Sequence, residues 1–445
     1  MPEARFDPPW SERVKFDEAG GFAYVPNTAF LRDPDVDEPF LSDLLAEGEF
    51  LNDVDGPTKE FRAMRGKFDT IRVVADLRAR GIEAQPDHVL FAHDMTGCCC
   101  GPHPAACFDP TLIANPLHAN PLHANPLHAN PLHANPLHAN PLHANSREPN
   151  GPTRSSARPA DPPEWYTPTA PRGSARPSNA ARATPRVVVI DTGLARQPQL
   201  PDFVRRGHSV RAVARSRTDQ PDENGDRWLD PAAGHGTFIA GIIERIAPGS
   251  AIEVVGILGP QGEGSESAVV DAITNVANRD IRPAFLNLSF GGYVWEQAPM
   301  LSRAVLLAQK RGIVVVASAG NDSTCRPSFP AAIPGVVSVG AIGPDGPAWF
   351  SNYGCWVRAC APGMDVVSSF FRSFDGAEVP SGGRDIDRFK AWATWSGTSF
   401  SAPAVIGALV REMRASNCTP KEAVTRLIDA PWLGRIPGLG TIVNV

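Results

Sequence analysis

No stretch of this sequence approaches the roughly 20 consecutive apolar residues that a helix needs to cross a bilayer, so no membrane partner is expected. The opening, Met1 to Lys15, carries charge, proline and tryptophan but lacks the apolar centre of a leader peptide. That predicts a cytoplasmic location, with export as the alternative if the natural start lies elsewhere. A dominant charge is also missing. The 42 basic and 48 acidic residues leave a net charge of −6, which gives no reason to expect nucleic acid as a partner. Lysine is scarce, confined to Lys15, Lys59, Lys67, Lys310, Lys390 and Lys421, a bias that GC-rich coding explains without function. Cysteine does not form a disulfide framework. Cys98, Cys99, Cys100 and Cys107 lie in the front part and Cys325, Cys355, Cys360 and Cys418 in the back, and a reducing compartment keeps most of them as thiols. His93, His103 and the front cysteines match no standard zinc spacing, so no metal site is assigned.

What the chain does have is proline, 45 of 445 residues, concentrated enough to mark its divisions. Residues 1–112 read as a small α+β N-terminal domain. Gly21–Arg32 and His88–His93 have strand composition, and Phe68–Arg80 places apolar residues at helical spacing before a stop at Gly81. Residues 113–184 read as a linker. Asn-Pro-Leu-His-Ala recurs six times between Asn115 and Ala144, and proline every fifth residue rules out a regular helix or a central strand. A turn-rich coil and a narrow β-solenoid both remain open. The repeated His118, His123, His128, His133, His138 and His143 suggest metal binding, but such identical units favour a tolerated spacer. The Pro, Ser, Ala and Arg-rich run that follows, from residue 146, cannot bury a core.

From residue 185 to 445 the pattern changes to alternating strands and helices. Val187–Ile190, Ala251–Leu258, Ala284–Leu288, Val314–Ala317 and Val336–Val339 read as buried parallel strands. Ala268–Asn278 and Leu301–Arg311 have the spacing of crossover helices, so a doubly wound sheet is expected, with reactive groups beyond the strands' carboxyl ends. Three segments there carry chemistry. Asp191 ends a strand in VVVIDTG, where a rigid carboxylate can orient an imidazole. His235 sits between glycines in GHGTFIAG, which lets backbone approach closely. Ser399 lies in SGTSFSAPAV, ahead of a helix expected from Ala402, where free N–H groups and the helix dipole favour negative charge; Pro403 near that helix start costs little.

Alone each segment is a modest hint, but Asp191, His235 and Ser399 in that order on an α/β pattern resemble the subtilase family over about 260 residues, from Arg186 to Val445. The resemblance implies a subtilisin-like doubly wound, mostly parallel sheet and a serine endopeptidase acting through an acyl-enzyme. It also implies an oxyanion donor at Asn321, in VVVASAGNDS, beside the Ser399 backbone N–H. In the family's manner, Gly262-Glu263-Gly264 and Leu288-Ser289-Phe290-Gly291-Gly292 would flank extended polypeptide, and Ser289–Gly292 with Ala319-Gly320 would line a roomy P1 pocket. Glu263 and Glu266 would favour basic side chains at more distant subsites.

No cofactor is required for this chemistry. A structural calcium ion in the acidic stretch Asp219–Asp230 is weighed against an ordinary solvated loop, which is favoured. Residues 372–388 read as an inserted loop near the active site. Cys360 is expected in the core, with a disulfide to Cys325 or Cys355 left open. The N-terminal domain could inhibit the peptidase domain intramolecularly, act as an adaptor, or be an appendage. The alternatives to a plain protease are an effector protease silenced until a partner is sensed, and an inactive peptide-binding scaffold.

Overall fold

The computed structural model describes residues 14–32, 41, 44–46, 49–55, 60–92, 157–159, 185–196, 210–214, 216–223, 225, 228–295, 298–375 and 388–445. The repeat, His93, His103, the front cysteines, most of the 146–184 run and residues 376–387 of the expected loop lie outside these.

The front region is an antiparallel sheet under one helix. Strands β1 (Lys15–Asp17), β2 (Phe22–Leu31), β3 (Phe50–Asp55), β4 (Arg62–Lys67) and β5 (Ala84–Ala92) pair in the order β5-β2-β4-β3, with β1 on β2. Helix α1 (Thr70–Ala79) starts where the Asp69 side chain accepts from the Ile71 and Arg72 N–H groups. It ends at Gly81, whose φ of 81° suits glycine. Val73, Val74 and Leu77 bury its inner face against Ala29, Leu31 and Met64. Strand β4 has no signal of its own in RAMRGK, since Ala63 and Met64 are its only buried residues.

After the repeat comes β6 (Arg158–Pro159). From residue 185 on the strands are β7 (Arg186–Asp191), β8 (Leu194–Ala195), β9 (Val210–Ala212), β10 (Thr218–Asp219), β11 (Ala251–Gly256), β12 (Glu263–Ser265), β13 (Phe285–Leu288), β14 (Phe290–Gly291), β15 (Val314–Ser318) and β16 (Val337–Gly343). They continue as β17 (Gly346–Pro347), β18 (Ala359–Pro362), β19 (Val366–Ser369), β20 (Phe374–Asp375), β21 (Arg388–Phe389), β22 (Trp392–Trp395), β23 (Arg435–Ile436) and β24 (Gly440–Ile442). The helices are α2 (His235–Ile246), α3 (Glu266–Ala277), α4 (Pro299–Lys310), α5 (Thr398–Ser416) and α6 (Pro420–Val424).

The central sheet runs β23-β24-β18-β16-β15-β13-β7-β11-β9 and is parallel at every step from β24 to β9. Alternation along β7 splits the core into two layers. Val187 and Val189 face α2 and α5, while Val188 and Ile190 face α3 and α4. Phe238, Phe400, Val405, Ile406 and Leu409 are fully buried in the first layer, and each such side chain is worth about 1.5–3 kcal/mol. Strand β7 has β11 on one side and β13 on the other, so the order switches direction there. A ligand site is expected beyond its carboxyl end, where Asp191 stands.

Two expectations need correction. The run after the repeat is not wholly a linker without a core. Ala157 is fully buried, and Arg158–Pro159 add an edge strand to β22, an outer position that tolerates proline. Helix α5 starts at Thr398 rather than Ala402, which puts Pro403 inside it. Among the described residues, no helix is long and apolar enough to cross a membrane.

Candidate active site

Asp191 ends β7 fully buried, and its Oδ1 accepts from the Thr192 N–H at 2.8 Å. The same oxygen lies 2.7 Å from His235 Nδ1, so the ring donates to the carboxylate. His235 is the first residue of α2, and the glycines around it set how close that helix can come. Gly234 has a φ of 83°, and a Cβ on Gly236 would lie 2.3 Å from Gly193 O. Trp395 meets the imidazole edge-on at 5.6 Å between centroids, and the Phe400 ring lies 5.5 Å away, so apolar groups shield it.

Ser399 sits in the first turn of α5, and its Oγ donates to Ser289 O at 2.8 Å. Pro403, four residues on, has no N–H to give Ser399 O. Ser289 Oγ fills that place at 2.8 Å and itself accepts from Asn287 Nδ2 at 2.9 Å. Asn321 stands just past β15. Its Oδ1 accepts from the Thr398 N–H at 3.0 Å and from Thr398 Oγ1 at 2.9 Å. An N–H must face oxygen, so the amide orientation is fixed and Nδ2 points the other way. That Nδ2 is buried and has no hydrogen-bond partner among the described residues.

The structure therefore joins Asp191 to His235 directly, and Asn321 to the residue before Ser399. Phe400, the residue after Ser399, packs on His235. The Ser399 hydroxyl itself is turned towards Ser289.

The two expected cleft walls lie on either side of β5. Glu263 and Gly264 of β12 pair with Phe91 and Leu90, and Phe290 and Gly291 of β14 pair with Ala92 and Phe91. Gly262 O accepts from the Ala92 N–H at 2.8 Å. Leu288 ends β13, Gly292 bridges to Phe329, and the Gly320 N–H donates to Thr398 Oγ1. Ala319 is buried, its N–H bonded to Val339 O. Glu266 is not a surface glutamate. It is fully buried, with Oε2 at 2.6 Å from His88 Nδ1 and Oε1 accepting from the Leu301 N–H.

Sequence reasoning missed Asp219 as part of this site, reading it as the start of a loop. It is buried and caps α2, its Oδ1 accepting from the Gly234 N–H and its Oδ2 from Thr237 Oγ1. Burial first, and then the charge of Asp191, push its carboxyl up to about 7 against the bonds from Gly234 and Thr237. The described carboxylates of the rest of the acidic stretch bond within it or to Arg217 just before it. Asp230 accepts from the Glu223 N–H, Asp222 from the Gly225 N–H, and Glu223 pairs with Arg217. Among the described residues no three His, Cys, Asp or Glu side chains are grouped so as to hold a metal ion. Cys325, Cys355, Cys360 and Cys418 are thiols, and burial pushes Cys360 up to about 12.

A parallel sheet with a carboxylate–imidazole pair at its switch point, facing a serine on a buried helix end, defines an α/β protein with its site at the strands' carboxyl ends. The chain belongs to the subtilase family, whose model matches residues 183–430, more than half of its length. It is 33% identical over 269 residues to the thermophilic serine proteinase of Bacillus sp. (strain AK1), covering 57% of this chain and 58% of that one. It is 32% identical over 203 residues to the extracellular serine proteinase of Thermus sp. (strain Rt41A), covering 44% and 45%. The chain thus spans about half the length of these two relatives. A crystal structure of a cold-adapted subtilisin-like serine proteinase aligns at a TM-score of 0.44 and 26% identity, over 58% of this chain and 86% of that one.

Two outcomes follow from the packing. Gly236→Ala drives a Cβ into the Gly193 carbonyl and should cost about 2 kcal/mol or more of stability, read by denaturant melts. Asp219 is raised in the folded state, from 3.8 to about 7, so its contribution to stability is full below about 3.8 and is lost as pH rises through 7. The melting temperature of Asp219→Asn minus that of the wild type should therefore climb between pH 4 and 7. A flat difference would show that Asp219 does not titrate there.

Proposed function

We propose that this chain is a serine endopeptidase with Ser399 as nucleophile, and that its N-terminal domain occupies the cleft until it is cut away. The Asn321 amide carries the reading. It is a buried, unpartnered donor beside the helix end that holds Ser399, where a tetrahedral oxyanion needs one. That similar proteins are named serine proteinases agrees with it.

In the first step Ser399 Oγ turns from Ser289 O to His235, gives up its proton to Nε2 and bonds to the scissile carbonyl carbon. Asp191 holds the tautomer with Nδ1–H and stabilises the imidazolium. Asn321 Nδ2 and the Ser399 N–H take the oxyanion. His235 returns the proton to the leaving amine as the C–N bond breaks. Water then attacks the acyl-enzyme, losing its proton to His235, and Ser399 is released as the alcohol. Protein groups and water account for every proton and electron pair, so no cofactor is invoked.

The polypeptide substrate would lie where β5 lies. Gly262, Glu263 and Gly264 would form one wall, and Leu288, Ser289, Phe290, Gly291 and Gly292 the other. Ala319 and Gly320 would complete a glycine-rich P1 pocket of modest selectivity. Strand β5 itself supports intramolecular inhibition. Leu90 and Ala92 share a core with Leu258 and Phe290, and both strand edges are taken. The same strand ties down two helix starts: Asp87 accepts from the Ser267 N–H of α3, and Gln85 from the Met300 N–H of α4. Arg326 adds donors to Gly20 O and Gly21 O. That the Thermus relative is an extracellular serine proteinase favours export over a cytoplasmic location, which fractionation of the producing cells would test.

A fluorophosphonate probe should label the wild type and leave Ser399→Ala unlabelled; labelling that appears only after loss of the N-terminal domain is the signature of inhibition. A folded protein that never labels would instead be the peptide-binding scaffold. Asn321→Ala should lower kcat by about 10²–10³. Wild-type protein should also cut itself on the C-terminal side of Ala92 while Ser399→Ala stays whole, as N-terminal sequencing would show. An active protein with residues 14–92 still attached would sink the inhibition.

A further inference from the structure

The loop that carries Asn321 is held by a residue to which sequence reasoning gave no role. Asn352 is fully buried, and its side-chain amide and backbone N–H are spent on residues 319–324 and their neighbour Tyr293. Its Oδ1 accepts from the Asp322 N–H at 2.9 Å and the Thr324 N–H at 3.2 Å. Its Nδ2 donates to Ala319 O at 3.0 Å and to the Tyr293 hydroxyl at 3.3 Å. Its own N–H donates to Gly320 O at 2.9 Å. The partners cannot exchange roles, since two are N–H donors and one is a carbonyl, so the amide has one orientation. Flanking bonds lay the two segments side by side: Ser323 N–H to Phe350 O at 2.9 Å, and Tyr353 N–H to Thr324 O at 3.0 Å. Tyr293 closes the circuit by donating to Asp322 Oδ2 at 2.8 Å.

We propose that Asn352 is a positioning residue for the oxyanion donor: it clamps the turn on both sides of Asn321 and so sets where Asn321 Nδ2 points. The inference rests on Asn321 stabilising the oxyanion. Asn321 itself is tied only at its Oδ1 end, by Thr398, and that one anchor leaves its backbone free to tilt. Asn352 removes the tilt by bonding residues 319, 320, 322 and 324. A donor displaced by a fraction of an ångström still permits substrate to bind, because β12 and β14, the strands that would pair with its backbone, are not bonded to Asn352. It acts late, as charge gathers on the carbonyl oxygen, so the loss appears in kcat rather than KM.

The test is a double-mutant cycle in the self-matured full chain on a peptide substrate. Asn352→Asp keeps one accepting oxygen and the size but sets a second oxygen against Ala319 O. It should lower kcat about ten- to a hundredfold and leave KM within about threefold. In an Asn321→Ala background the same substitution should change kcat by less than about threefold, because the donor it positions is gone. Damage to the fold alone would lower kcat equally in both backgrounds, and that result overturns the proposal, as does a change confined to KM. If Asn352→Asp does not fold, Asn352→Ser, smaller and still able to accept one bond, takes its place with the same two criteria. An Asn321→Ala variant with wild-type kcat would overturn the oxyanion reading itself and the positioning role with it.

Discussion

The meeting of two backbones with no side chain between them decides the rest of this site. Gly193 follows the end of β7 with a φ of 119°, and Gly236 brings the first turn of α2 against its carbonyl. A methyl group on Gly236 would push helix and strand apart, and one on Gly193 would strike Arg217 O on its other side. With the gap closed, Asp191 and His235 are 2.7 Å apart although neither belongs to a flexible segment. Asp219 completes the arrangement by fastening the free N–H groups at the start of α2. A buried carboxylate is thereby held against another, and only its bonds to Gly234 and Thr237 offset that cost.

The front strands meet the rest of the chain by the same economy. Helices α3 and α4 begin with N–H groups that have no partner within the helix. Strand β5 supplies Asp87 and Gln85 to them, and His88 accepts from the Trp295 N–H while facing Glu266. The strand that satisfies these helix starts is the one that continues into the cleft between β12 and β14. Recognition by polar caps and occupation by β-pairing are thus properties of a single nine-residue strand.

How much of this was legible in the sequence follows from which contacts are local. The β-branched runs of β7 and β15 and the apolar spacing of α3 and α4 announce themselves within a dozen residues. So do the glycines about His235, because close approach leaves a mark on composition. Strand β4 does not, since RAMRGK buries two residues and takes its place from its neighbours. Glu266 reads as a subsite carboxylate for basic side chains until β5 arrives from 178 residues away and buries it against His88. Asp219 and Asn352 stayed hidden for the same reason: a capping carboxylate and a bridging amide are ordinary polar residues, and their partners are named only by the fold. Ala157 was hidden by composition, since a run too poor to build a core can still lend one small residue to a core built elsewhere.

Pro403 shows how a local rule can fail in an informative direction. Proline suits a helix start, and reading the helix from Ala402 placed it there. In the structure it sits one turn deeper, where it withholds the N–H that would normally bond to Ser399 O. That carbonyl is buried and needs a donor, and Ser289 Oγ, itself held by Asn287, supplies one. The missing bond therefore fastens the helix end to the segment between β13 and β14. Ser399 Oγ donates back to Ser289 O, so two serines from distant parts of the chain exchange hydrogen bonds. A helix with an ordinary residue at 403 would satisfy its own carbonyl and have no need of Ser289. The proline makes Ser399 and the segment after β13 depend on each other, so a shift in one is carried to the other.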